Sequence, residues 1–132
     1  MLITFVSQPW NFNMLKKISH QIIFPNAQYT GGSWTNNTHL LDVSCFNKFC
    51  LFILIGFWTG TDKTIDITVS NKDRVTGQTR EIDVWDQIVD SAVGNKIFKV
   101  YESVCFDQID VFLELGGANI SCDFQMNAIL KT

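Results

Sequence analysis

The chain has 132 residues, with 13 Asp and Glu against 10 Lys and Arg, and a formal net charge of −3. Charged residues make up 17% of it, against roughly 25% in ordinary soluble domains, while hydrophobic residues make up 46% and aromatic residues 13%. The hydrophobic content argues against intrinsic disorder, and the acidic balance argues against a nucleic-acid binder with its basic face. The length fits one domain, residues 1–132, with a core of its own.

In chain order, Leu15 to Phe24 reads as a strand or strand pair ahead of a turn at Gly31-Gly32. Phe49 to Trp58 is a nearly continuous apolar run, the pattern of a strand buried on both faces. Asp62 and Lys63 then form a turn. Thr64 to Ser70 alternates, with Ile65, Ile67 and Val69 inward. Asn71 to Arg74 is a turn or loop, and Thr76-Gly77 is a further break. Asp86 to Val93 fits a short helix ended by Gly94, or else an irregular crossing. Lys96 to Tyr101 is a strand.

At the C-terminus Ile109, Val111, Leu113 and Leu115 alternate with polar residues. After Gly116-Gly117 the alternation resumes through Ala118, Ile120, Cys122, Phe124, Met126, Ala128 and Leu130. Alternation on both sides of a Gly-Gly pair predicts a hairpin with a two-residue turn. Its register places Leu115 opposite Ala118, Leu113 opposite Ile120, Val111 opposite Cys122 and Ile109 opposite Phe124. The same register sets Asp110 against Asp123, an unfavourable pair. The expected fold is therefore all-β, an antiparallel β-sandwich or jelly roll ending in a hairpin at Gly116-Gly117.

The charge deficit is not uniform. From Met1 to Thr61 the single acid is Asp42 and the bases are Lys16, Lys17 and Lys48; every other charge lies from Asp62 onward. A coding bias toward Asn, Ile, Phe and Lys would produce such a stretch. So would a surface meant to be covered, because interface centres are poor in charge and rich in aromatics. On the second reading Trp10, Phe12, Trp34 and His39 are the expected contact residues.

The first residues lack a basic leader and carry too short an apolar run for a signal peptide. The Phe49–Trp58 run is far below the roughly 20 residues needed to span a bilayer. The expectation is synthesis in a reducing host cytoplasm, no membrane partner, and cysteines that act as small hydrophobes. A bond between Cys45 and Cys50 would need an oxidising environment.

Sites for chemistry are scarce. No P-loop, dinucleotide fingerprint, EF-hand loop, H-E-x-x-H or G-x-S-x-G motif occurs, and neither His20 nor His39 has an acidic neighbour in sequence nearer than Asp42. Glu81, Asp83 and Asp86 surround Trp85, which would form a sugar or cation site if Trp85 were exposed. Trp10, Trp34 and Trp58 could likewise stack on sugar rings. No cofactor, no metal site and no enzyme are expected.

From Phe52 onward the order is Phe52-Ile53-Leu54-Ile55-Gly56-Phe57-Trp58-Thr59-Gly60, an alternating strand, Trp85-Asp86-Gln87-Ile88-Val89, the strand Lys96 to Tyr101, and the Gly116-Gly117 segment ending Asn127-Ala128-Ile129-Leu130. This order resembles small β-sandwich structural proteins of tailed-phage virions, of the capsid-decoration or minor-head type. The resemblance implies a non-enzymatic structural subunit of a viral particle that oligomerises and packs against other virion proteins. The alternative from another class is a carbohydrate-binding or receptor-binding β-sandwich.

Overall fold

The computed structural model describes residues 17–31, 38–89, 96–102 and 107–132. Six strands account for most of them: β1 (Ile18–Thr30), β2 (Thr38–Asp42), β3 (Lys48–Lys72), β4 (Thr79–Val84), β5 (Lys96–Tyr101) and β6 (Gln108–Lys131). All pairings are antiparallel, in one hydrogen-bonded sheet, so the chain is all-β.

Two strands set the architecture. β3 has 25 residues and β6 has 24, and they pair along almost their whole length, from Lys48 opposite Lys131 to Lys72 opposite Gln108. A straight strand of that length would reach roughly 80 Å, whereas a domain of this size has a radius of gyration of about 14 Å. The strands must bend, and their irregularities show where. The pairing shifts register at three points between Ile55 and Thr64, and positive φ angles fall at Gly60, Asp62, Gly117 and Asn119.

The bend divides the sheet into two layers. Layer A runs β1, the second half of β6, the first half of β3, then β5. Layer B runs β2, the first half of β6, the second half of β3, then β4. Ile53, Ile55, Phe124 and Met126 of layer A and Ile65, Ile67, Val111 and Leu113 of layer B are all within about one per cent of complete burial and belong to one hydrophobic cluster. A single sheet cannot dry one of its faces alone, so each layer covers the other, and the result is a sandwich made by folding one sheet.

Both edges are tied across. On one, Phe24 of β1 meets His39 of β2 edge-on at 6.4 Å between ring centroids. On the other, Lys99 Nζ of β5 lies 3.0 Å from Asp83 Oδ2 of β4. Pro25 falls where β1 shifts register, on a sheet edge where a missing N–H is tolerated.

Two sequence expectations are corrected, and an alternative is decided for its described part. Gly116-Gly117 is not a hairpin turn: β6 continues through it as one bent strand, and Gly116 pairs with Thr64 while Ala118 pairs with Thr61. Ile109 lies opposite Asn71 and Leu41, and Phe124 opposite Ile55 and Ala27, so the expected hairpin register is absent. Asp110 and Asp123 are likewise apart, opposite Ser70 and Gln28. The Asp62-Lys63 turn is the matching bend inside β3. The described part of the expected helix, residues 86–89, is irregular, with Ile88 bridged to Ile65 by two 3.0 Å backbone hydrogen bonds.

The glycines of the bend sit where backbones meet. A Cβ on Gly117 would come within 2.5 Å of Thr61 O and 2.7 Å of Asp62 O, and one on Gly60 would strike the Ile120 side chain. The chain crosses itself there at a distance only glycine permits.

Candidate interaction face

The inward residues of β3 in layer A are Phe49, Leu51, Ile53 and Ile55. The residues between them, Cys50, Phe52 and Leu54, point outward and are half-buried. The apolar run Phe49–Trp58 is thus not a strand buried on both faces. One face is core, and the other is an apolar surface.

Neighbouring strands extend that surface. Register places Ile22, Asn127, Phe52 and Phe98 in one row across layer A, and His20, Ile129, Cys50 and Val100 in the next. Ile22 is 65% exposed, Phe98 64% and Val100 54%. Two shallow hollows mark the face. One, of about 280 Å³, lies among Cys50, Val100 and Ile129; the other, of about 330 Å³, among Ile22, Phe52 and Asn127. Charges among its described side chains stand at the ends of the strands: Lys48, Lys131 and a single carboxylate, Glu102, at the end away from the bend, and Asp123 beside Gly56 at the bend.

The outer face of layer B is different. Asp66, Glu114, Ser70, Asp110 and Thr68 occupy its central positions on β3 and β6, with the half-buried Phe112 opposite Thr68 as the one aromatic among them. Leu40 and Val84 are its exposed apolar residues on the flanking strands. One face of the sandwich is therefore polar and acidic, and the other carries a contiguous apolar patch of the kind that marks a contact surface.

The residues singled out in the sequence fall as follows. Trp10, Phe12 and Trp34 lie outside the described residues. His39 is half-buried on β2, paired with Val111, on the inner side of the seam with Phe24. Burial lowers its pKa, and the charge of Asp110 partly offsets this. Trp58 and Trp85 are 5% and 4% exposed, so neither offers a ring face to a sugar.

The acidic group near Trp85 is resolved into a bracing cluster. Tyr101 Oη donates to Asp83 Oδ2 at 2.6 Å, Trp85 Nε1 donates to Tyr101 Oη at 2.9 Å, and Tyr101 stacks on Phe49 at 4.7 Å between centroids. Burial, then the bond to Asp83, raises the Tyr101 phenol far above its ordinary pKa.

Cys45, Cys50 and Cys122 are free. Cys122 is fully buried and its thiol is pushed up to about 12, chiefly by desolvation, which leaves it inert at neutral pH. Among the described residues, no three His, Cys, Asp or Glu side chains stand close enough to hold a metal ion, and no helix is long and apolar enough to cross a membrane.

The signal for the outer face was present in the sequence as the missing polar alternation from Phe49 to Trp58. Periodicity alone does not say whether the second face is covered within the chain or outside it.

No family profile and no curated protein matches this chain. Its fold is similar to that of the SPBc2 prophage-derived protein YomS, with a TM-score of 0.52 and 9% identity over 100% of this chain and 99% of that one. A chain from Bacillus endospore appendages, described as disulfide-linked pili, aligns with a TM-score of 0.44 and 15% identity over 89% of each.

Proposed function

We propose that this protein is a non-enzymatic structural subunit of a phage-type particle, a capsid-decoration or minor structural protein that packs against neighbouring virion proteins through the outer face of layer A. The observation that carries this reading is the contrast between the two outer faces. Layer A presents Ile22, Phe52, Phe98, Val100 and Ile129 to its surroundings, while layer B sets Asp66, Asp110 and Glu114 among fewer apolar residues, Leu40, Val84 and the half-buried Phe112. Exposed apolar side chains on one sheet face gain free energy only when another surface covers them, at roughly 25 cal/mol per Å² removed from water.

Two further features support it. The fold is shared with a prophage-derived protein over the whole chain. The polar cluster at Asp83, Lys99, Tyr101 and Trp85 is engaged internally in joining the layers, which suits a rigid part better than a reactive one. The place of action follows as the virion, after synthesis in the host cytoplasm. The glycan-binding alternative is weakened by the burial of Trp58 and Trp85.

The test is to purify particles from cells that make this chain and to count it by quantitative mass spectrometry. A fixed, stoichiometric copy number supports the reading. Absence from particles, together with a free, stable chain in the cytosol, overturns it.

A further inference from the structure

The proposed function leaves the first partner of the layer A face open. We infer that this partner is a second copy of the same chain, packed face to face about a two-fold axis that lies in the interface and runs across the strands at the level of Phe52 and Asn127. The inference rests on reading this face as a contact surface and adds the occupant and its orientation.

The distribution of charge selects this geometry. Along β6, Lys131 and Asp123 lie four residues to either side of Asn127; along β3, Lys48 and Gly56 lie four residues to either side of Phe52. Gly56 is directly beside Asp123, since a Cβ on it would meet the Asp123 Cβ at 3.3 Å. A two-fold axis in the interface has two limiting directions. An axis along the strands sets the Lys48 and Lys131 end of one copy on the same end of the other, where two lysines of each copy outnumber its one carboxylate, Glu102, a repulsive balance. An axis across the strands sets that end over the Asp123 end. Among the described residues no ion pair engages Lys48, Lys131 or Asp123, so these charges are available for one between copies.

The same axis matches the apolar parts. Phe52 meets its own counterpart at the centre, and Asn127 meets its counterpart beside it, where two amides can exchange hydrogen bonds. Leu54 of each copy falls over the level of Cys50 of the other, at the hollow among Cys50, Val100 and Ile129. The size is adequate. Four strands about 4.8 Å apart, the central two some 27 Å long and the flanking two about 20 Å, present roughly 450 Å² in projection before side-chain relief is added. A standard interface takes about 800 Å² of accessible surface from each partner.

The test uses the full chain in solution. Light scattering across a concentration series is expected to give twice the 15.0 kDa of one chain. Asp123→Lys is expected to weaken association at least tenfold by facing Lys131 with a second cation. Combining it with Lys131→Asp is expected to return the affinity to within about threefold of the starting value, which a misfolded variant would not do. Phe52→Asp, which brings two carboxylates together on the axis, is expected to give a monomer. A monomer at all concentrations, or a dimer indifferent to these changes, overturns the inference.

Alkylation of Cys50 in purified particles separates the two readings. A monomer in solution whose Cys50 is shielded in particles overturns the second copy but leaves the contact face standing. Cys50 open to reagent in particles overturns both.

Discussion

Asp83 is a small carboxylate on an edge strand, yet its side chain joins the two layers. Tyr101 donates to it, Lys99 pairs with it, and Trp85 in turn donates to Tyr101. Replacing Tyr101 by Phe keeps the stacking on Phe49 but strands the Trp85 indole N–H and removes the donor to Asp83. The expected cost is about 1–3 kcal/mol, read as a drop in melting temperature on the order of 4–11 °C.

The same cluster has a pH dependence of fixed sign. Burial raises the Asp83 pKa, but the hydrogen bonds from Tyr101 and Lys99 and the Lys99 charge outweigh it and hold the carboxyl below its ordinary 3.8. A depressed folded-state value means that the stabilisation is complete above the unfolded pKa and is lost as pH falls through the folded one. Stability of the native chain is therefore expected to fall as pH drops below about 4, and the part of that fall contributed by this group disappears in Asp83→Asn. Denaturant midpoints measured at pH 7 and pH 3 for both chains check it.

At the scale of elements, most of the fold was legible and its connectivity was not. The strand Lys96 to Tyr101 is β5 with the same limits, and the inward residues Ile65, Ile67, Val69, Ile109, Val111, Leu113, Phe124 and Met126 are all buried. Alternation exposes such positions because a half-buried strand has a strict period of two. Gly116-Gly117 misled for a physical reason. A change of inward phase across two glycines is produced both by a tight hairpin and by a sharp bend in one long strand, and the sequence near the glycines is the same in the two cases. What decides is the partner: β3 carries a matching bend at Gly60 to Lys63, so the two strands stay paired through the corner.

That corner predicts a graded response to alanine. At Gly117 a methyl group would collide with two backbone carbonyls, and φ is +110°. At Gly77, in the turn between β3 and β4, φ is +75° but the space is open. Gly77→Ala is expected to cost about 1 kcal/mol, the backbone penalty alone. Gly117→Ala is expected to cost distinctly more, on the order of 2–3 kcal/mol, because the bend must also give way. Chemical denaturation of the two variants side by side tests the difference.

At the scale of the whole molecule, the low charge of the first 61 residues takes on a location. Part of that stretch becomes β1 and the first half of β3, which supply Ile22, Cys50, Phe52 and Leu54 to the outer face of layer A. The acids that lie on the layer B halves of β3 and β6, Asp66 after the corner and Asp110 and Glu114 before it, face outward on layer B. The corner sends one surface to each side of the sandwich, so a single charge should have opposite consequences on the two.

Glu114 is exposed on β6 and lies opposite Asp66. Glu114→Lys exchanges a like-charge pair for an opposite one in solvent and should change both stability and self-association by less than about 0.5 kcal/mol. Leu54→Lys puts the same charge over the hollow of a second copy that Lys48, Lys131 and Glu102 line together with Cys50, Val100 and Ile129. A lysine there must lose hydration beside two like charges and a single carboxylate or must hold the copies apart, at a cost of several kcal/mol. With each 1.4 kcal/mol worth tenfold in affinity, and the substitution present twice in a symmetric pair, association should become undetectable while the melting temperature of the monomer stays within a few degrees. Sedimentation velocity on the two variants, run beside the unmodified chain, distinguishes a face-specific interface from general hydrophobic adhesion. Adhesion of the second kind would respond to added charge on either layer alike.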